Sequence, residues 1–173
     1  MKDITKFSKI TDYLPIFTGI IIVEFLTIFI FVGKWNESKT LQKWYHDYHI
    51  FAIIADVVSV FLGIIISRYL YSSVFKIQTF SLILFLFIVV AVQWTHDILF
   101  YLLFTSVPVG KNKVFDLFKE YAKSAGIGAI LGDSSIMILS VLLGSFLANF
   151  SVNTNFIVLL LFVYFIPYTI YMR

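Results

Sequence analysis

Four carboxyl side chains, Glu24, Asp56, Asp97 and Asp133, sit inside long apolar runs, and Gln93 and His96 accompany Asp97 in the stretch QWTHD. Groups of these types at hydrocarbon depth support three chemistries. As protonated acids and a neutral imidazole they would tie helices together by hydrogen bonds. As exchangeable sites, with His96 as relay, they would carry protons or cations through a channel or transporter. Through His49, Asp56, His96 and Asp97 they would hold a metal ion, since imidazole plus carboxylate suits zinc or iron. An ionised carboxylate at the centre of a membrane helix costs about 2.5 to 3.5 kcal/mol. Each acid must therefore be protonated, paired or hydrated.

The elements that position these groups are five runs long enough to cross a bilayer, at 14–33, 49–70, 80–104, 126–148 and 156–172. The first four carry one acid each. Counting residues from the run ends places Asp56, Asp97 and Asp133 at one depth, about 10 Å below the same membrane boundary, with Glu24 slightly deeper. Helical phase then aligns Ala52, Asp56, Ser59, Gly63 and Ser67 on one stripe of the second run, and Gln93, His96, Asp97 and Tyr101 on one side of the third. The expectation is that both stripes face a bundle interior, because lipid would leave Asp97 unsatisfied. Small residues four apart, Gly128 and Gly132, then Ser140 and Gly144, predict close helix packing by the fourth run, which is expected at the bundle centre. Between the third and fourth runs, Val114, Leu117, Phe118 and Tyr121 recur at helical spacing against Lys113, Asp116, Lys119 and Glu120. That pattern predicts an amphipathic helix near 112–124, lying on the membrane surface.

Composition fits an all-α polytopic integral membrane protein, a single transmembrane helical domain over residues 1–173. Hydrophobic residues make up 60% of the chain and charged ones 13%, too few to cover a water-exposed surface. With no cysteine, disulfides and thiolate chemistry are excluded. The polar first 13 residues, followed by a long run without a small-residue cleavage site, predict no cleavable signal peptide. Neither a phosphate-binding loop nor a nucleic-acid motif is present, so nucleic acid is not an expected partner. Trp44, Tyr45 and Tyr48, like Tyr164, Tyr168 and Tyr171, read as aromatic belts at the membrane boundary. The similarity of WYHD at 44–47 to WTHD at 94–97 does not extend to the flanks and reads as coincidence.

Five spans put the two ends of the chain on opposite sides, here called side A (N-terminal) and side B (C-terminal). Side B receives Lys34, Lys39, Lys43, Lys111, Lys113, Lys119, Lys123 and Arg173, against Lys2, Lys6, Lys9, Arg68 and Lys76 on side A. The positive-inside bias then favours a cytoplasmic side B. Sequons at Asn36 and Asn149 fall on opposite sides and do not discriminate.

The segments WTHDILFYLLF, VFDLFKEYAKSAGIGAILGDSSIMILSVLLGSFLANF and FVYFIPYTIYM resemble a group of small uncharacterised multi-span membrane proteins of large nucleocytoplasmic DNA viruses. The resemblance covers roughly residues 43–173 and implies a virion or virus-factory membrane without supplying an activity. The resulting expectation is a non-enzymatic membrane protein, structural in a viral membrane, with no cofactor. Its expected partners are lipid, a second copy, or viral membrane and capsid components. Proton or cation transport is the alternative, and a bound metal ion the third.

Overall fold

In a computed structural model, which describes residues 1–32 and 38–171, the chain forms seven helices. They are α1 (Tyr13–Val32), α2 (Lys39–Tyr48), α3 (Ile50–Tyr69), α4 (Leu82–Ser106), α5 (Lys113–Ala125), α6 (Ile127–Leu147) and α7 (Val152–Ile170). Five are long and apolar enough to cross a membrane, α3 being extended by a π turn at Leu70–Val74, whereas α2 and α5 are short and amphipathic. The expected ends Gly33 and Met172, and with them Lys34, Asn36 and Arg173, lie outside the described residues.

Helix boundaries follow local capping. Span three starts at Leu82, because the Ser81 hydroxyl accepts the Leu84 N–H. The last span starts at Val152, four residues earlier than expected, because Ser151 caps Thr154 in the same way. Pro167 lies inside α7 without ending it. The expected surface helix is present as α5, its first turn capped by Asn112.

The bundle is built around α1. Of its membrane-crossing stretch 56% is buried, against 17 to 28% for the other four spans, so α1 and not the fourth span occupies the centre. It packs against α3, α6 and α7 and touches α2 on side B. Its crossing with α6 brings backbones together: a Cβ on Gly19 would lie 2.8 Å from the Gly144 nitrogen and 3.0 Å from the Ser140 carbonyl oxygen. Close packing by α6 thus uses Ser140 and Gly144. Gly128 and Gly132 do not take part, being exposed with nothing within 4 Å of where a Cβ would stand. The physical reason is rotational: more than two turns earlier along α6, the stripe has turned away from α1.

Side A is closed by residues 2–9, which fold back over the bundle. The Lys2 N–H donates to the Ser145 carbonyl at 3.1 Å, the Ser145 hydroxyl donates to the Lys2 carbonyl at 2.6 Å, and Lys2 Nζ donates to Ala148 O at 2.7 Å. Arg68, expected among the side-A surface charges, is fully buried instead. It donates to the carbonyls of Lys6 (2.5 Å) and Lys9 (3.1 Å), lies 3.8 Å from Asp12, and sits 4.5 Å over the Tyr13 ring. A buried guanidinium needs acceptors, and the returning segment supplies them to Nη2, while Nε and Nη1 are buried without a hydrogen-bond partner.

Two substitutions test this packing. Gly19→Ala should lower thermal stability in detergent by about 1 to 3 kcal/mol, because the new methyl meets rigid backbone. Gly132→Ala should leave it unchanged or raise it by up to about 1 kcal/mol through helix propensity; chemical or thermal unfolding followed by circular dichroism measures both.

Candidate functional site

The acid layer lies under α2 and α5, the two surface helices of side B. Each leads into a span through one sharply turned residue: His49 (φ +47°, ψ −124°) joins α2 to α3, and Gly126 (φ +53°, ψ −131°) joins α5 to α6. Asp56 follows His49 by seven residues, and Asp133 follows Gly126 by seven. The same kink followed by the same length of helix therefore lowers both carboxyls to one depth. Glycine tolerates such a positive φ, whereas His49 adopts it at a steric cost.

Within the layer, Glu24 and Asp56 meet through side chains of α2. The Trp44 indole Nε1–H donates to Asp56 Oδ2 at 2.9 Å. The Tyr45 hydroxyl lies within interaction range of both Glu24 and Asp56. Trp44 and Tyr45 are both buried, so their expected role as belt residues is corrected: they face down onto the acids, not out to headgroups. Amphipathic phase is the signal that could have revealed this, since Trp44 and Tyr45 share the apolar side of a short helix otherwise rich in Lys, Gln and Asp. Glu24 is 3% exposed, and its Oε1 has no hydrogen-bond partner.

Asp97 and Asp133 belong to the α4 and α6 side of the layer. Asp97 accepts from Gln93 Nε2 at 2.6 Å, and His96 Nδ1 lies 3.3 Å from the same oxygen. Both bonds stay within α4. The tie from α4 to α6 is one residue away, where Trp94 Nε1 donates to Ser134 Oγ at 3.0 Å. Asp133 is within electrostatic range of Asp97, Asp56 and His96, which brings the two halves of the layer into one field. Of the stripe expected to face inward, Gln93 and Asp97 do so, but the His96 side chain is 49% exposed and Tyr101 points outward. Helical phase explains the split, because His96 lies 100° round the helix from Asp97 and so reaches the edge of the groove.

Above the layer the surface helices bind each other. Trp44 packs on Phe118 with ring centres 5.0 Å apart, Lys43 pairs with Glu120 at 3.4 Å, and Thr40 bonds Ser124 at 3.3 Å. Phe118 continues into Phe100 and Phe104 of α4. Tyr121 hangs from α5 towards the acids. Its phenol is pushed up to about 12 by burial first, then by the charges of Asp133, Asp56 and Asp97. The Tyr45 phenol is likewise raised well above its ordinary value by burial and by Glu24 and Asp56. Both phenols therefore remain neutral donors through the physiological range.

The residues considered for a metal do not converge. Asp56 is engaged by Trp44, His96 by Asp97, and the His49 ring stacks on Tyr171 at 5.4 Å while His46 bonds Asp47. Among the described residues no three His, Cys, Asp or Glu side chains are grouped to hold an ion. No protein-family model, curated protein or solved structure matches the chain, so the viral resemblance rests on the segments that suggested it.

Trp44→Phe keeps the ring packing but leaves Asp56 Oδ2 without its donor, and should lower stability by about 1 to 3 kcal/mol in a denaturant titration. Alkaline titration offers a separate check on Tyr121. In the ultraviolet difference between wild type and Tyr121→Phe, the phenol should ionise near pH 12. Because the folded state holds the proton more tightly, the stability it lends is complete below about pH 10 and lost as pH rises towards that value.

Proposed function

We propose that this is a non-enzymatic multi-pass membrane protein in which the buried acid layer seats two surface helices on a bundle of five spans. The observation that carries the reading is the seat itself: Trp44 bonded to Asp56 at 2.9 Å, with Tyr45 between Asp56 and Glu24. These contacts run from spans to surface helices. The groups are an indole N–H bonded to Asp56 and a neutral phenol beside it, which settle an acid in a low-dielectric interior without taking part in turnover. The closed side A supports the same reading, since the Arg68 clamp and the fully buried Ile64, Tyr71, Phe85 and Val89 fill the path away from the layer. A structural place in a viral membrane is the setting that the sequence resemblance suggests for such a component.

Exchange of protons or cations is the second reading, favoured by two buried carboxyl oxygens of the layer without partners, Glu24 Oε1 and Asp97 Oδ2. Purified protein in liposomes holding a pH-sensitive dye separates the two. Under the seating reading, an imposed proton or potassium gradient decays no faster than in empty vesicles, and Glu24→Gln changes melting temperature but not flux. Dye response that requires the protein and disappears in Glu24→Gln would establish the second reading instead.

A further inference from the structure

The last turn of α4, the loop at 107–112 and α5 line an open cavity of about 350 Å³ at the side-B membrane boundary. Its floor is apolar, formed by Pro108, Ala122 and the body of Tyr101. Thr105 also lines it, its hydroxyl already spent on the Tyr101 carbonyl at 2.6 Å. Two cations stand at the rim. Lys119 is held in place, its Nζ donating to the Val107 carbonyl at 2.5 Å with Asp116 at 3.4 Å. Lys123, one turn further along α5, is exposed and has no ion-pair partner among the described residues.

A cavity with this polarity gradient matches an amphiphile with an anionic head. We propose that it binds the headgroup of an anionic phospholipid, the phosphate lying against Lys123 and Lys119 and one acyl chain running down the exposed flank of α4. Its position fits, because α4 ends at Ser106 and the cavity opens where a span gives way to a surface helix, the level at which headgroups meet chains. Charge complementarity fits as well: Lys39, Lys43, Lys111 and Lys113 share side B with the two rim cations and add to a positive surface. Leu102 and Ile98, more than half exposed on α4 below the cavity, offer the apolar track a chain needs. A free phosphate ion would gain only the exposed Lys123 and a Lys119 already held by Val107 and Asp116, an attraction that water and salt largely screen. The apolar floor rewards a lipid alone.

Native mass spectrometry of the full chain released from mixed micelles tests this, with phosphatidylglycerol and phosphatidylcholine of equal chain length as probes. The expected result is one retained phosphatidylglycerol in clear preference to phosphatidylcholine. Lys123→Gln should reduce that retention about fivefold. Ala122→Phe, which fills the floor and leaves the charges in place, should abolish it, and Lys39→Gln, remote on α2, should not alter it. Equal retention of the two lipids would overturn the proposal. So would an equal loss in Lys39→Gln, which marks general surface charge, or displacement of the lipid by glycerol 3-phosphate at comparable concentration, which marks an anion site indifferent to the chain. Should Ala122→Phe fail to fold, judged by gel filtration, the comparison of Lys123→Gln with Lys39→Gln decides by itself.

Discussion

A carboxyl group below a membrane surface has to find a donor within the protein, and that requirement organises side B. Asp56 and Glu24 cannot be satisfied by their own helices, where every backbone N–H is already used. They are reached by α2, which brings an indole and a phenol over the bundle edge. Once α2 is held this way, its remaining face presents Trp44 and Lys43 to α5, and the aromatic contacts among Phe100, Phe104 and Phe118 carry the arrangement on to α4. An acid that would be a liability in lipid becomes the anchor for two helices that lack enough apolar surface to enter the membrane themselves.

The two surface helices enter their spans by the same device. A residue in the positive-φ region closes the surface helix with its own N–H and opens the following span with its carbonyl. At Gly126 the sequence provides the residue best suited to it, and at His49 it does not. The imidazole gains a stacking partner in Tyr171, which links the start of α3 to the end of α7. Backbone strain at His49 is thus offset in part by a contact that a glycine would forgo.

Much of this architecture was legible in the sequence, for reasons that also mark where legibility stops. Five spans follow from the length of the apolar runs, and α5 from its alternation of Val114, Leu117 and Phe118 with lysines and acids. The common depth of Asp56, Asp97 and Asp133 follows from counting, because helix rise is fixed. Rotation about a helix axis is different, since it depends on the neighbours. Gly128 with Gly132 and Ser140 with Gly144 are the same pattern as text, yet only the second meets α1, where Gly19 lies opposite it. Trp44 and Tyr45 suggest boundary anchors, because that is where such residues usually sit. Their partners lie on α1 and α3, and no local pattern records contact across that distance. Arg68 escaped for a related reason: a basic residue near a span end ordinarily reaches water, and here the returning segment at 2–9 takes the place of water.

That returning segment orders the protein's assembly in time. Residues 2–9 are made before their partners, which are Arg68 and Ser72 on the second span and Ser145 and Ala148 at the end of the fourth. The Lys6 and Lys9 carbonyls can meet Arg68 once the second span is in place, whereas Lys2 must wait for the fourth. Closure of side A is therefore completed in two stages, the guanidinium being covered before Lys2 is fastened to α6.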